Sequence, residues 1–363
     1  MTRDGSGGSS RTASTAGGSG GSSPLPGSAA LAGEWPRAHA LEISGLNVRY
    51  GSVRAVADAS LMVEAGQVVA LIGETGSGKT SLALAAARLL PRAASVSGLV
   101  KIAGHDVSGL SAVEFRKMRA QLVGCIAQDA MAALNPVVPV GRQVGEVFAV
   151  HAGMDRRQAA EAAVASLAQV EIRRPDLVAR LYPHQLSGGM RQRVMIAMAM
   201  ALSPPLIVAD EPTTALDVST QAEILGLVGD LRARMRSGIL WITHDMGVVA
   251  ELADWAAVMY AGQIVEAGQV EQIFDVPAHP YTLGLLQTRR DLRSGPVGAP
   301  LFQIRGSPPA PGEEPAGCPF RPRCPRATQV CADVNPVLEP VGTTAGWPGA
   351  AHKAACHHPG TAS

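Results

Sequence analysis

Apolar and polar positions alternate from Leu46 to Tyr50, with Asn47 and Arg49 set between Leu46, Val48 and Tyr50. This is the period of a half-buried strand, and Tyr50-Gly51-Ser52 reads as the turn that ends it. Val68 to Ile72 is apolar at every position, as expected for a parallel strand covered on both faces. Leu206 to Ala209 and Ile239 to Ile242 read the same way. Between these runs the spacing predicts helices over Lys79 to Leu90, stopped by Pro91, over Met190 to Leu202, stopped by Pro204 and Pro205, and near Thr220 to Arg236. Strands alternating with helices predict an α/β fold around a mainly parallel sheet. The two ends break the pattern. Residues 1–38 carry too few apolar side chains to offset their chain entropy and no apolar segment of a secretory signal, so a disordered leader is expected. Residues 293–363 are rich in Pro and Gly and lack periodicity, which predicts a separate, loop-rich appendage. The longest apolar stretch, Val194 to Ala209, is broken by Ser203, Pro204 and Pro205 and falls short of the roughly 20 residues of a spanning helix, so no membrane crossing is predicted.

Composition adds three constraints. A chain of 363 residues suggests two or three structural units. Apolar residues make up 47% but aromatics only 4%, so the core must be built from Ala, Val, Leu and Ile. Lys plus Arg is 31 against 30 for Asp plus Glu, a formal charge of +1, which argues against nucleic acid as a partner.

Two segments carry phosphate chemistry. Gly73-Glu74-Thr75-Gly76-Ser77-Gly78-Lys79-Thr80, running on to Ser81, fits G-x-x-x-x-G-K-[ST] directly after one predicted strand and directly before one predicted helix. Its glycines let consecutive N–H groups converge on phosphate oxygens at the positive end of a helix. Lys79 is expected on the β- and γ-phosphates and the Thr80 hydroxyl on magnesium. The chain holds four lysines against 27 arginines, and one of the four stands here, where a compact point charge is needed. The strand Leu206 to Ala209 runs into Asp210 and Glu211. Asp210 is expected beside the phosphate loop, holding the magnesium shell, and Glu211 facing the γ-phosphate as general base.

Leu186-Ser187-Gly188-Gly189-Met190 narrows the field, because it resembles the signature motif of ABC-type ATPases. Tyr50 matches that family's adenine-stacking aromatic, Gln128 its Q-loop glutamine and magnesium ligand, Ala215-Leu216-Asp217 its D-loop, and His244 its switch histidine. The resemblance covers residues 41 to about 270. It implies a P-loop nucleotide-binding domain over 39–270, with a RecA-like core, a β-subdomain and a helical subdomain at 130–190, followed by a C-terminal extension over 271–363. It also implies that Ser187, Gly188 and Gly189 serve the nucleotide of an opposing subunit, so that hydrolysis needs a dimer.

Gln128-Asp129-Ala130-Met131-Ala132-Ala133-Leu134-Asn135-Pro136, Tyr182-Pro183-His184-Gln185, His279-Pro280-Tyr281-Thr282 and a C-terminal cysteine block are further similar to oligopeptide and dipeptide importer ATPases. Ala130, Ala132 and Ala133 depart from that group, where a proline and small hydroxyl residues are frequent. The implied protein is an ATP-hydrolysing importer subunit, peripheral on the cytoplasmic face of the membrane. Its implied partners are a second, homologous ATPase subunit in a heterodimer, two multi-span permeases and, indirectly, a solute-binding protein. An importer for nickel or another small solute is the alternative; a soluble ABC ATPase of translation or DNA repair fits less well. Four of the five cysteines, Cys318, Cys324, Cys331 and Cys356, fall in the Pro-rich tail, while Cys125 reads as a buried small hydrophobe. A tail of this composition needs a staple. Thiolate ligands to a soft metal are expected, with Arg321, Arg323 and Arg326 offsetting their charge. The resemblance implies a [4Fe–4S] cluster; zinc with His357 or His358, and unliganded thiols, stay open as alternatives.

Overall fold

The computed structural model describes residues 39–214, 216–294, 302–310, 312–341 and 351–360, with the side chains of 289–294 excepted. The expected leader and Ala215 of the D-loop lie outside the described residues. Two sheets organise the chain. In the first, β1 (His39–Tyr50), β2 (Val53–Glu64), β4 (Ala94–Ile102) and β5 (His105–Asp106) run in the order β2-β1-β4-β5, with every pairing antiparallel. The alternating positions read at 46–50 are the end of the longer β1, which is paired on both edges.

The second sheet has eight strands in the order β11-β12-β10-β9-β3-β8-β7-β6. Its centre is parallel: β3 (Val68–Ile72) lies between β8 (Gly238–Thr243) and β9 (Trp255–Tyr260), and β7 (Leu206–Asp210) joins β8 to β6 (Val123–Ile126). The buried apolar runs read from the sequence as β3, β7 and β8 are therefore neighbours. With chemistry placed at their carboxyl ends, β3 leads into the phosphate loop and β7 into Asp210 and Glu211, the arrangement general to open α/β sheets. β10 (Gln263–Gln269) turns back antiparallel on β9.

The C-terminal segment is loop-rich but not separate. Its short strand β12 (Lys353–Ala354) pairs with Glu266 and Ala267 of β10, and β11 (Glu339–Pro340) pairs with β12, so the tail extends the core sheet. The cause is an unpaired edge on β10, which a two-residue strand can satisfy. Buried Glu266 secures the join: its carboxylate accepts the N–H groups of Ala278 and His279 and lies 2.7 Å from His352 Nε2.

Residues 130–187 are helical apart from connections, with helices Val140–His151 and Arg156–Gln169 packed on Gly188–Met200. The first expected helix is shorter than read. Lys79–Ala86 ends because Arg88 turns to φ 50°, letting Leu89 N–H reach Leu84 O and Arg88 N–H reach Ala85 O, a Schellman ending placed before Pro91 can act.

Candidate functional site

Lys79 is almost fully buried at the first turn of its helix, and Nζ donates to Gly73 O at 2.7 Å and Glu74 O at 2.8 Å. Its own loop thus closes around the ammonium. Burial holds Lys79 below the ordinary lysine pKa, while Glu211, Asp210 and Glu74 pull it back up. Gly78 caps the helix at φ 104°, and a Cβ there would stand 2.3 Å from Ala55 O; both facts exclude a side chain. Thr80 Oγ1 donates to Asp210 Oδ1 at 3.4 Å. Burial raises the Asp210 pKa, opposed by the Thr80 hydrogen bond and by Lys79. Tyr50 OH is 3.3 Å from Ser81 Oγ, which sets its ring at the rim of the loop.

Glu211 gathers the other residues expected in catalysis. His244 Nδ1 lies 3.2 Å from its Oε1, while Gln128 Nε2 at 3.4 Å and Thr214 Oγ1 at 3.0 Å both donate to its Oε2. The backbone of Glu211 is left-handed, at φ 45°, and its N–H donates to Ile242 O. That turn lifts the carboxylate off the end of β7 towards Gln128, beyond β6, and His244, beyond β8. A carboxylate held by three neighbouring polar groups at the rim of a phosphate loop can take a proton from water.

The signature residues lie elsewhere. Ser187 is the N-cap of helix Gly188–Met200, its Oγ accepting Met190 N–H at 3.3 Å. Gly189 packs against Thr220, where a Cβ would stand 2.6 Å from Thr220 Cγ2. Asp217 is the N-cap of helix Val218–Met235 and binds Thr220 through both carboxylate oxygens. Among the described residues no hydrogen bond ties Ser187, Gly188, Gly189 or Asp217 to the phosphate loop.

Residues 56–214 match the ABC transporter family, and residues 265–331 match the C-terminal region of oligopeptide/dipeptide transporters. The chain is similar to the oligopeptide transport ATP-binding protein OppD of Salmonella typhimurium, with 42% identity over 301 residues that span 82% of this chain and 89% of that one. The chain belongs to the ABC transporter ATP-binding subunits of the oligopeptide/dipeptide family. It is an ATPase of the cassette type. A probable peptide ABC transporter ATP-binding protein, y4tR of Sinorhizobium fredii, is 44% identical over 305 residues, 84% of this chain and 89% of its own. Among solved structures, the post-hydrolysis dimer of the ATP-binding cassette MJ0796 bound to ADP and Pi superposes with a TM-score of 0.56 and 25% identity, over 63% of this chain and 98% of that one.

The peptide-family segments place residues at the nucleotide loop that motif reading does not reveal. Tyr281 OH accepts Glu74 N–H at 2.9 Å, so one amide expected to face phosphate is held by the extension. Arg323 forms a two-pronged pair with Glu74, Nη1 to Oε2 at 2.8 Å and Nη2 to Oε1 at 3.1 Å. Arg323 was expected to offset thiolate charge; it faces Glu74 because that carboxylate is half-buried and matches the guanidinium fork. The only signal for Tyr281 in the sequence is the His279-Pro280-Tyr281-Thr282 segment, and for Arg323 its place beside Cys324.

In the tail, Cys318 and Cys331 are buried, Cys324 and Cys356 half-buried, and Cys318 N–H donates to Cys331 O. Burial raises the thiol pKa of Cys318, Cys324 and Cys356, the last to about 11, and the proximity of the other cysteines adds to each. Arg326 N–H and His358 N–H lie 3.4 Å from Cys324 Sγ and Cys356 Sγ. The rings of His357 and His358 are engaged by Val334 O and Thr328 Oγ1. Among the described residues no group of three or more His, Cys, Asp or Glu side chains is placed so that it could hold a metal ion. Cys125 is half-buried on β6, and burial pushes its thiol up to about 11, which makes it an inert packing residue.

Proposed function

We propose that this chain powers the import of oligopeptides or dipeptides from the cytoplasmic face of the membrane, as a peripheral subunit beside a second, homologous ATPase and two multi-span permeases supplied by a solute-binding protein. The observation that carries the proposal is the joining of two parts in one chain: an ABC transporter segment in which the side chains at 128, 211 and 244 meet beside the loop 73–81 and Asp210, and an extension of peptide-family type built onto the same sheet. Among the described residues no helix is long and apolar enough to span a membrane, which fits a subunit that works against permeases.

The division of roles follows from position. The loop 73–81 would hold the phosphates, Tyr50 would stack on adenine, and Glu211 would take the proton of the attacking water. His244 and Gln128 would orient that water and sense the γ-phosphate. Thr80 and Asp210, already in contact, would hold a magnesium ion together with Gln128. Magnesium would supply charge compensation between the β- and γ-phosphates. Ser187, Gly188, Gly189 and Asp217 would complete the opposing subunit's site, which accounts for their distance from this one. The helical segment at 130–187 would carry closure to the permeases. In membranes holding the whole complex, peptide uptake and phosphate release should both require Lys79; uptake that survives Lys79→Ala would refute the assignment.

The four tail cysteines would hold a [4Fe–4S] cluster as a structural staple. In support, Cys318, Cys324 and Cys331 all lie close enough to Cys356 to help raise its thiol pKa, and two sulfurs already have backbone N–H donors, as metal-bound thiolates do. The anaerobic chain should be brown, with absorption near ~400 nm that Cys324→Ser removes; stoichiometric zinc without iron would leave the zinc reading instead.

A further inference from the structure

Arg323 is the least expected side chain in the neighbourhood of the phosphate loop. It sits one residue before Cys324, 249 positions from its partner, and its side chain is 4% exposed. The guanidinium is fully engaged. Beyond the two bonds to Glu74, Nε donates to Arg305 O at 3.1 Å, Nη1 reaches Tyr260 OH and Nη2 reaches Ile304 O, each at 3.5 Å. Its central carbon, Cζ, lies over the rings of Tyr260 and Phe320, at 5.7 and 5.9 Å from their centroids. Those rings in turn pack with Tyr281 and His279. A chain with so few aromatics thus concentrates them where the extension meets Glu74. Extension residues Gln303 and Ile304 also wall a cavity of about 880 Å³ that reaches Glu74 and His244.

Glu74 is the anomaly that this arrangement resolves. An acidic residue at the second position of a phosphate loop places a negative charge within the element that must receive a polyanion. Its main-chain oxygen contacts Lys79 Nζ, so the carboxylate is fixed to the same short loop. We propose that Arg323 is a positioning residue for ATP: it neutralises Glu74 and, with Tyr281, fixes the open side of the phosphate loop, so that the cysteine-bearing extension is part of the nucleotide site. The proposal rests on ATP binding at 73–81 and goes beyond it by assigning the extension a share in that binding. An unpaired Glu74 would repel the phosphates; a neutral residue in its place would not.

The opposite signs of those two effects give the test. Binding of a fluorescent ATP analogue is measured with magnesium on the full-length chain, purified anaerobically, together with the iron and zinc content of each variant. Arg323→Met keeps the alkyl stem against Tyr260 and Phe320 and should weaken binding about tenfold, the order expected for one unscreened charge at this range. In a Glu74→Gln background the same substitution should change affinity by less than about twofold. Arg323→Lys, which keeps the charge and loses the fork, should fall between and serves if Arg323→Met does not fold. A loss confined to damage in the extension would persist in the Glu74→Gln background, and that result, or wild-type affinity in Arg323→Met, would overturn the proposal. Failure of the wild-type chain to bind, or binding that survives Lys79→Ala, would instead refute the nucleotide site itself.

Discussion

Replacing Glu211 by Gln removes one proton acceptor and almost nothing else. The main chain at 211 is held by its N–H bond to Ile242 O and by a left-handed turn that Gln can also adopt. The side chain keeps its volume and one oxygen. That oxygen can still take the Gln128 and Thr214 donors, while the new amide faces His244 Nδ1, which can accept in its other tautomer. Loss of a positioned general base costs about 10²–10⁴ in rate, or about 3–5 kcal/mol of barrier. ATP affinity should move the other way. Glu211 is the largest of the acidic influences on Lys79, and removing its charge lessens repulsion of the phosphates. Phosphate release by the assembled complex should therefore drop at least a hundredfold, with the affinity for ATP equal or tighter. Single-turnover measurement in the same preparation separates chemistry from product release. A rate within about threefold of wild type would mean that Glu211 is not the base. A matching loss of ATP binding would mean that it holds the loop rather than the water.

Tyr50→Ala should weaken ATP binding about threefold to tenfold, the worth of one aromatic stacking contact, and leave the bound-state hydrolysis rate unchanged; nucleotide titration against single-turnover rate checks both halves. His279 gives the structure a pH dependence of definite sign. Its pKa falls from 6.5 to about 4 because it is buried, against the pull of Glu266, and its Nδ1 accepts Tyr281 N–H and so must stay unprotonated. The unfolded chain binds the extra proton first, so stability is lost as pH falls from 6.5, reaching about 3 kcal/mol near pH 4. Urea unfolding at pH 7 and pH 4.5 should show the difference, and His279→Gln should remove that share of it.

What the sequence made legible divides along a physical line. Gly73 to Thr80, Asp210 with Glu211, and Ser187 to Gly189 are contiguous because phosphate chemistry needs backbone curvature and side chains within one turn, and such patterns survive in one dimension. β3, β7 and β8 were legible because strands covered on both faces are apolar throughout. The rest depends on partners that no spacing announces. Arg323 is one of 27 arginines, and nothing local marks it as the one that meets Glu74. β12 is two residues long and exists only because β10 offers an edge. The helix at 79 ends at Ala86 through a backbone turn at Arg88, a residue with no special propensity for it, and so the reading ran on to the nearest proline.

The bond between Glu266 and His352 also orders the birth of the molecule in time. The two residues are 86 positions apart, so at 5–20 residues per second roughly 4–17 s of synthesis separate them. Throughout that interval the strands β3, β7, β8, β9 and β10 can already be assembled, while the far edge of the sheet has no β12 to cover it. Ala278 and His279 supply Glu266 with its first N–H donors soon after it is made, and the arrival of His352 adds the last partner. Nascent chains arrested between these two points should expose the β10 edge and be the species that chaperones and proteases meet, whereas chains released past His352 should not.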